Sequence, residues 1–566
     1  MDKVKKGGGI VVLFFKEKKK NGQIISKKTP SSVVEEHSKN KISSSLDETV
    51  HFMKGIFGDS NDFVIKHFEV FGQFHAAMFY FSDLTDQTVI NNDILKPLMY
   101  IPNHLLQRKI VLNDLKDVLI NETLYHSQAK LDDCLDRLVD FVLRGETVIA
   151  IEGIAEGIHI GTRKLEKRAV NQPETEQVIM GPREGFIENI ATNLALLRYR
   201  LPTPDFCVKK MEIGRLTKSK VAICYIKGIA DNKVINEVEK RLSEIDIDVI
   251  MDAGYLEQFI EDNPFSPFPQ VHSTERPDKA VANLAEGRVA ILVDGSPFAL
   301  MVPVVFSQFY QTVEDYSTRF LMGSFVRLSR MLALVFSLIF PSLYVSFISF
   351  NPELLPTEFA VAVAGGRAGI PFPAVVEVLA MEIAMEVLRE ATVRLPKQVG
   401  GALSIVGVLV IGEAAVNAGL ASPITVVVIA LTTIGSFATP AYVAAFALRM
   451  LRFSIIVLAG IFGLYGVVIG VIFIFNHMLS LKSFGVPYMA PVSPENYQGM
   501  KDVVIRSPLW WMPKRPTFLH QENVARLREK RNKALEHNKI GNDQREEGTS
   551  GGPKRNHNSS SDDNLN

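Results

Sequence analysis

The stretch MLALVFSLIFPSLYVSFISF (residues 331–350) decides the architecture of this chain. It supplies the roughly 20 apolar residues that the core of a bilayer requires. Val399–Leu420, Pro423–Leu448 and Phe453–Met478 each approach or exceed the same length. No secreted or cytosolic globular domain needs four such stretches in succession. The residues before them read as soluble α/β protein. The expected fold class is therefore an α/β soluble head, made of two related α/β subdomains, plus an α-helical polytopic membrane domain. That limits the function to transport, a channel, a receptor or an anchored assembly.

Working outward into the head, two segments match at a spacing near 145 residues: FYFSDLTDQTVIN (79–91) and CYIKGIADNKVIN (224–236). The Tyr, Asp, Val, Ile and Asn recur in register. Each copy begins as an apolar strand and passes into a helix that Asp86 or Asp231 can N-cap. Each closes on a glycine followed by an apolar strand, GETVIAIEG (145–153) and GRVAILVDG (287–295). A repeat of this length is too long for a solenoid unit and points to a duplicated α/β domain. The expected division is 1–45, a disordered basic segment; 46–165, subdomain I; 166–295, an inter-domain helix and subdomain II; 296–480, the membrane domain; and 481–566, a loop followed by a disordered basic and polar tail.

The link between the subdomains carries REGFIEN (183–189) and reads as an amphipathic helix up to Arg200, stopped by Pro202 and Pro204. Its polar face would hold Arg183, Glu184, Glu188, Asn189, Asn193 and Arg198. Such a face suits a ligand, a neighbouring copy of the chain, or satisfied inter-domain contacts. Arg183, Glu184 and Glu188 are the candidate subunit contacts.

The 62 basic and 62 acidic residues balance, so no global charge points to nucleic acid. Both ends are locally basic and lack the apolar residues that offset chain entropy. They are solvated, or they contact anionic lipid. Cys134, Cys207 and Cys224 form no CxxC pair, which indicates neither a zinc site nor a disulfide framework. The apolar run Ile10–Phe15 is too short for a signal-peptide core. No Walker A loop, GxGxxG, HExxH or GxSxG is present. Asp294–Phe298 (DGSPF) reads as a sharp turn into a helix against the bilayer, and His477 as an interfacial residue. No catalytic residue, cofactor or metal is expected.

In the membrane region Pro341 is expected to kink its helix. The segment 359–373 is broken by Gly365, Gly366, Arg367, Gly369, Pro371 and Pro373. It suits a broken or re-entrant element, which survives at membrane depth only against protein or water. Gly365, Gly366, Pro371 and Pro373 are the candidate gate. The next helix, Ala374–Ala391, places Glu382, Glu386 and Glu390 on one face, with Glu377 nearly opposite. These four acids are the candidate ion path: stacked around an axis they would form acidic rings. As an interfacial helix they would simply meet water. Glu413 and Asn417 lie among small residues that permit close helix packing. Arg327 and Arg330 favour a cytoplasmic head. Arg394, Lys397, Arg449 and Arg452 favour cytoplasmic turns, giving five crossings and an external tail; four crossings put the tail inside.

Several blocks together resemble the A subunits of bacterial spore germinant receptors, the GerA family. They are GPREGFIE (181–188), DGSPF (294–298), PELLP (352–356), PFP (371–373), Met381-Glu382, LREATVRLP (388–396), SIVG (404–407) and SFGVPY (483–488). The resemblance covers about residues 50 to 516. Gly412-Glu413 departs from the pattern, which often has Gln at the second position. The resemblance implies a role in spore germination beside a nutrient-binding B membrane subunit and a lipoprotein C subunit. It further implies an oligomeric, nutrient-gated ion channel in the spore inner membrane, with the A subunit building the pore. A non-conducting scaffold and a secondary transporter are the alternatives.

Overall fold

The computed structural model describes residues 29–526 apart from Lys39, 101–109, 125–127, 165–171, 395–411, His520 and Glu522. Subdomain I contains β1 (Phe63–Val70), β2 (Phe74–Phe81), β3 (Lys130–Asp132), β4 (Thr147–Ile151) and β5 (Gly157–Ile160) in the order β1-β2-β4-β5-β3. Subdomain II contains β6 (Phe206–Ile213), β7 (Ser219–Ile226), β8 (His272–Thr274), β9 (Val289–Val293) and β10 (Ala299–Val302) in the order β6-β7-β9-β10-β8. The two orders are the same and every pairing is antiparallel. The head is therefore two copies of one α/β topology.

Local chemistry explains the matched elements. Every residue of β4 and β9 is buried, so both faces of each sheet are covered and the strand sequences run continuously apolar. In subdomain I the covering helices include α1 (Leu46–Phe57) and α2 (Leu135–Leu143). In the second copy they include α3 (Ile190–Arg200), α4 (Asn232–Ser243), α5 (Ala253–Ile260) and α6 (Pro277–Ala285). Asp231 accepts from the Lys233 amide at 2.9 Å and caps α4; Asp86 accepts from Thr88 at 2.8 Å in the first copy. Gly145 and Gly287, before the central strands, both take positive φ, as do Gly153 and Gly295 after them.

Three head readings need correction. Residues 30–36 form a helix capped by Thr29, and Ile42 is buried, so order begins before residue 46; residues 1–28 lie outside the described part. The inter-domain helix starts only at Ile190, where Asn189 caps it. Asn193 and Arg198 are not on an outer face but buried, because Arg198 is paired with Asp62 of subdomain I. Finally, the turn Asp294–Phe298 leads into β10, not into a helix, since Ala299–Val302 completes the second sheet.

The membrane body contains α7 (Phe320–Ser349), α8 (Thr357–Arg367), α9 (Ala374–Val393), α10 (Pro423–Phe437), α11 (Tyr442–Phe462) and α12 (Leu464–Ser480). Among the described residues, α7 and α11 are long and apolar enough to cross a membrane. α10 and α12, at 15 and 17 residues, are shorter apolar helices. Pro341 sits inside α7 without ending it. The stretches Pro423–Leu448 and Phe453–Met478 are not single helices. Residues 438–441, with Pro440, separate α10 from α11. Gly463, at φ +60°, separates α11 from α12. Most of Val399–Leu420 falls outside the described residues.

The helices alternate in direction. Gly435 lies against Ala333 and Tyr344 bonds Thr425, so α7 and α10 are antiparallel. The start of α11 touches the head through Ala441 and Phe309, and the end of α12 through His477 and Ser266 at 2.9 Å. After α12 the chain packs back on the head. β11 (Lys482–Ser483) pairs with β12 (Val486–Pro487), Ser483 Oγ donates to the Gln270 carbonyl at 2.7 Å, and Tyr488 donates to the Pro269 carbonyl at 2.9 Å. Residues 481–526 thus lie on the same side as the head. A position opposite the head, and with it an odd number of crossings, does not fit residues 481–526; residues 527–566 are outside the described part.

Candidate functional site

A ladder of charged side chains joins α9 to α11. Helical spacing sets Glu382 and Glu386 one turn apart on α9, and Arg449 and Arg452 three residues apart on α11. Because the helices run antiparallel, the lower acid meets the higher arginine. Glu382 Oε2 lies 2.9 Å from Arg452 Nη2, with both side chains 2% exposed. Glu386 bonds Arg389 on its own helix and approaches Arg449 Nε at 3.5 Å. Arg452 Nη1 donates to the Ser337 carbonyl of α7 at 3.3 Å. Arg389 lies 5.1 Å from the Phe437 ring centroid, and Arg449 5.5 Å from that of Phe446.

The ladder is not electrically even. Two carboxylates, Glu382 and Glu386, face three guanidiniums, Arg389, Arg449 and Arg452. Several buried polar atoms, including Glu382 Oε1 and Arg452 Nε, have no hydrogen-bond partner. A small cavity of about 10 Å³, bordered by Ser337, Leu338, Leu448, Arg449 and Arg452, has room for about one water molecule. Ionised groups this deep persist only when paired or wetted.

The four candidate acids therefore have different surroundings. Glu382 is enclosed by its own protomer and does not face outward. Glu377 is also buried: it lies 3.3 Å from Arg367 Nε and accepts from the Ser422 amide, tying α8, α9 and α10 together at the end remote from the head. Glu386 is partly exposed, and Glu390 is exposed and paired with Arg394. The stripe is thus interrupted by arginine rather than bare. The missed partners were legible only as turn markers: Arg449 and Arg452 lie inside α11, not at a cytoplasmic turn.

The candidate gate residues are open. No atom of a neighbouring residue lies within 4 Å of a Cβ built on Gly365 or Gly366, and Pro371 and Pro373 are exposed. Val363 is the one buried residue of α8. Arg183, Glu184 and Glu188 are exposed, and Glu184 pairs with Arg200.

A second charged network, which the sequence reading did not single out, fixes the base of α7. Arg327 Nε lies 3.1 Å from Asp315, and its Nη1 donates to Asp502 Oδ1 at 2.7 Å. The Tyr316 hydroxyl donates to the same carboxylate at 2.6 Å. Burial pushes the Tyr316 phenol well above its ordinary range and raises Asp502, with Arg327 and Tyr316 opposing the latter shift. This network clamps the C-terminal segment to α7 by hydrogen bonds. Among the described residues, only Asp132, Asp133 and Cys134 cluster closely enough to suggest a metal, and they are half-buried groups already bonded to Lys41 and Arg137.

Known proteins with this sequence pattern agree on its kind. The model of the Bacillus/Clostridium GerA spore germination protein matches residues 51–518. Spore germination protein KA of Bacillus subtilis (strain 168) is 42% identical over 487 residues, 86% of this chain and 88% of that protein. Spore germination protein GerLA of Bacillus cereus is 37% identical, over 87% of this chain and 99% of that one. The crystal structure of the N-terminal domain of the A subunit of the Bacillus megaterium spore germinant receptor GerK3 aligns at TM-score 0.37 and 33% identity, over 47% of this chain and 98% of that chain. With a family match over most of its length, this chain belongs to the GerA spore germination protein family, among the A subunits.

Proposed function

We propose that this chain is the A subunit of a nutrient germinant receptor that triggers spore germination, and that copies of it assemble into a nutrient-gated cation path. The receptor sits in the spore inner membrane with the head on the cytoplasmic side. A nutrient-binding B subunit and a lipoprotein C subunit complete it. Lipid surrounds the body, and neither nucleic acid nor a cofactor takes part.

One observation carries this reading. α9 leaves Val376, Ala380, Ile383, Val387 and Glu390 on one exposed stripe. Their spacing of three or four residues marks a single helix face. Beside it α8 stands almost wholly uncovered, and Gly365 and Gly366 leave room for another copy to approach closely. Around an axis, the stripe becomes an apolar wall ending in a ring of carboxylates, which draws cations to the mouth. Glu390 and Glu386 line this path, the Gly365–Pro373 segment gates it, and Arg183, Glu184 and Glu188 contact neighbouring subunits.

A second reading is a non-conducting scaffold. The arginine pairing of Glu382 and Glu386, and of the exposed Glu390 with Arg394, favours it, because little bare charge is left to select ions. Glu390→Gln, alone and with Glu386→Gln, separates the two. The conducting reading expects slower cation release from spores on nutrient addition, with receptor level and assembly unchanged. Unaltered release from spores holding normally assembled double variant would overturn it and leave the scaffold.

A further inference from the structure

The chain has two tryptophans, and they are neighbours, Trp510 and Trp511. They sit on the C-terminal segment where it crosses the base of α7. Ser324 of α7 donates to the Arg506 carbonyl at 2.9 Å, and Arg506 Nη1 donates to the Thr318 carbonyl at 3.3 Å. The Phe320 and Trp510 rings meet edge to face at 6.2 Å. The segment is thus pinned, yet several of its apolar side chains stay about half exposed. Trp510 is 54% and Trp511 50% exposed, and Ile505 and Leu509 are exposed beside them. Leu321 and Phe325, on the first turns of α7, are exposed as well.

The length of α7 indicates what covers that surface. Thirty residues span about 45 Å at 1.5 Å per residue, roughly 15 Å more than the hydrocarbon core of a bilayer. The surplus lies at the head end, because Ser337 and Tyr344 already pack against α11 and α10. The first turns of α7 therefore stand at headgroup level. Amphipathic aromatic side chains concentrate there. The exposed Lys501 and Lys514 on the same segment suit an anionic surface.

We propose that residues 501–514 lie in the headgroup layer on the head side of the membrane, with Trp510 and Trp511 turned into the bilayer as an interfacial anchor. The occupant of this patch is lipid, and the surface continues the apolar belt of α7. The inference rests on α7 crossing the bilayer and is independent of conduction.

The test uses the intact chain, because tryptophan emission can arise only from these two residues. The protein is reconstituted into vesicles of phosphatidylcholine and phosphatidylglycerol. Part of the phosphatidylcholine is then replaced by lipid brominated either near the headgroup end or near the middle of the acyl chain. Shallow bromines are expected to quench the emission about twofold, deep bromines less, as for a residue in the aromatic belt. Absence of quenching by either lipid overturns the proposal. Quenching by water-soluble acrylamide would then put the segment in water. Protection from acrylamide as well would mean that protein, such as a second copy, covers it.

Discussion

Glu382 and Arg452 form an ion pair at 2.9 Å inside the membrane body, each side chain only 2% exposed. Removing one partner strands the other charge, whereas removing both restores an apolar contact. Arg452→Met is therefore expected to cost about 3–5 kcal/mol, and Glu382→Leu with Arg452→Met together far less. Thermal unfolding in detergent of the two single variants and the double variant closes the cycle. Additive losses would mean that the pair is not coupled.

Arg198 plays the corresponding part in the head. Its Nη2 donates to Asp62 Oδ1 at 2.7 Å and to Ser60 Oγ at 2.7 Å, and its guanidinium lies 3.8 Å from the Phe81 ring centroid. Asp62 is fully buried, so Arg198→Ala leaves a carboxylate without its cation. A loss of about 3–5 kcal/mol is expected. Hydrogen exchange should rise in β1 and β2 and also in α3, because the contact crosses from one subdomain to the other. Faster exchange confined to α3 would show that the pair does not couple them.

Much of the head is legible from local chemistry. The capping aspartates, the glycines before the central strands and the apolar strands all act within a few residues, so the duplication is visible in the chain. Arg198 is not legible in that way. Its partner lies 136 residues earlier, and a polar residue at helical spacing looks like surface until that partner is known. The acidic spacing on α9 was readable, but its electrostatics were not. Arg449 and Arg452 resemble a positive-inside signal, and only the antiparallel placement of α11 turns them into counter-charges. Hydropathy likewise merges α11 with its neighbours, because it does not register the Pro440 and Gly463 breaks.

Glu257 gives the head a pH dependence. It lines a cavity of about 240 Å³ between α5 and the start of α11, together with Asp252, His272 and Tyr442. Burial, with smaller contributions from Glu261 and Asp252, pushes its carboxyl up to about 7. An unfolded chain releases the same proton near an ordinary glutamate value, about 4.3. Below that value both states are protonated and the group contributes nothing. As pH rises towards 7 the unfolded state loses its proton first, so stability falls, and the full penalty applies above 7. Glu257→Gln should therefore match the parent near pH 4 and unfold at a higher temperature than the parent at pH 8. An equal difference at both pH values would remove the titration as its cause.

Gly463 should be the least replaceable residue of the α11–α12 corner. Its φ of +60° and ψ of −141° lie where a side chain is strained, at a cost of about 1–3 kcal/mol. A Cβ there would also stand 2.9 Å from the side chain of Phe350, at the end of α7. Gly463→Ala thus incurs backbone strain and a clash together. Phe350→Ala removes the clash but not the strain, so adding it to Gly463→Ala should recover only part of the lost thermal midpoint. Full recovery would assign the whole effect to crowding, and no loss in Gly463→Ala would mean that the corner is not held in this conformation. Misseating α12 should also loosen its far end, where His477 bonds Ser266 of the head. Faster exchange around residues 263–268 in the Gly463→Ala protein is therefore expected.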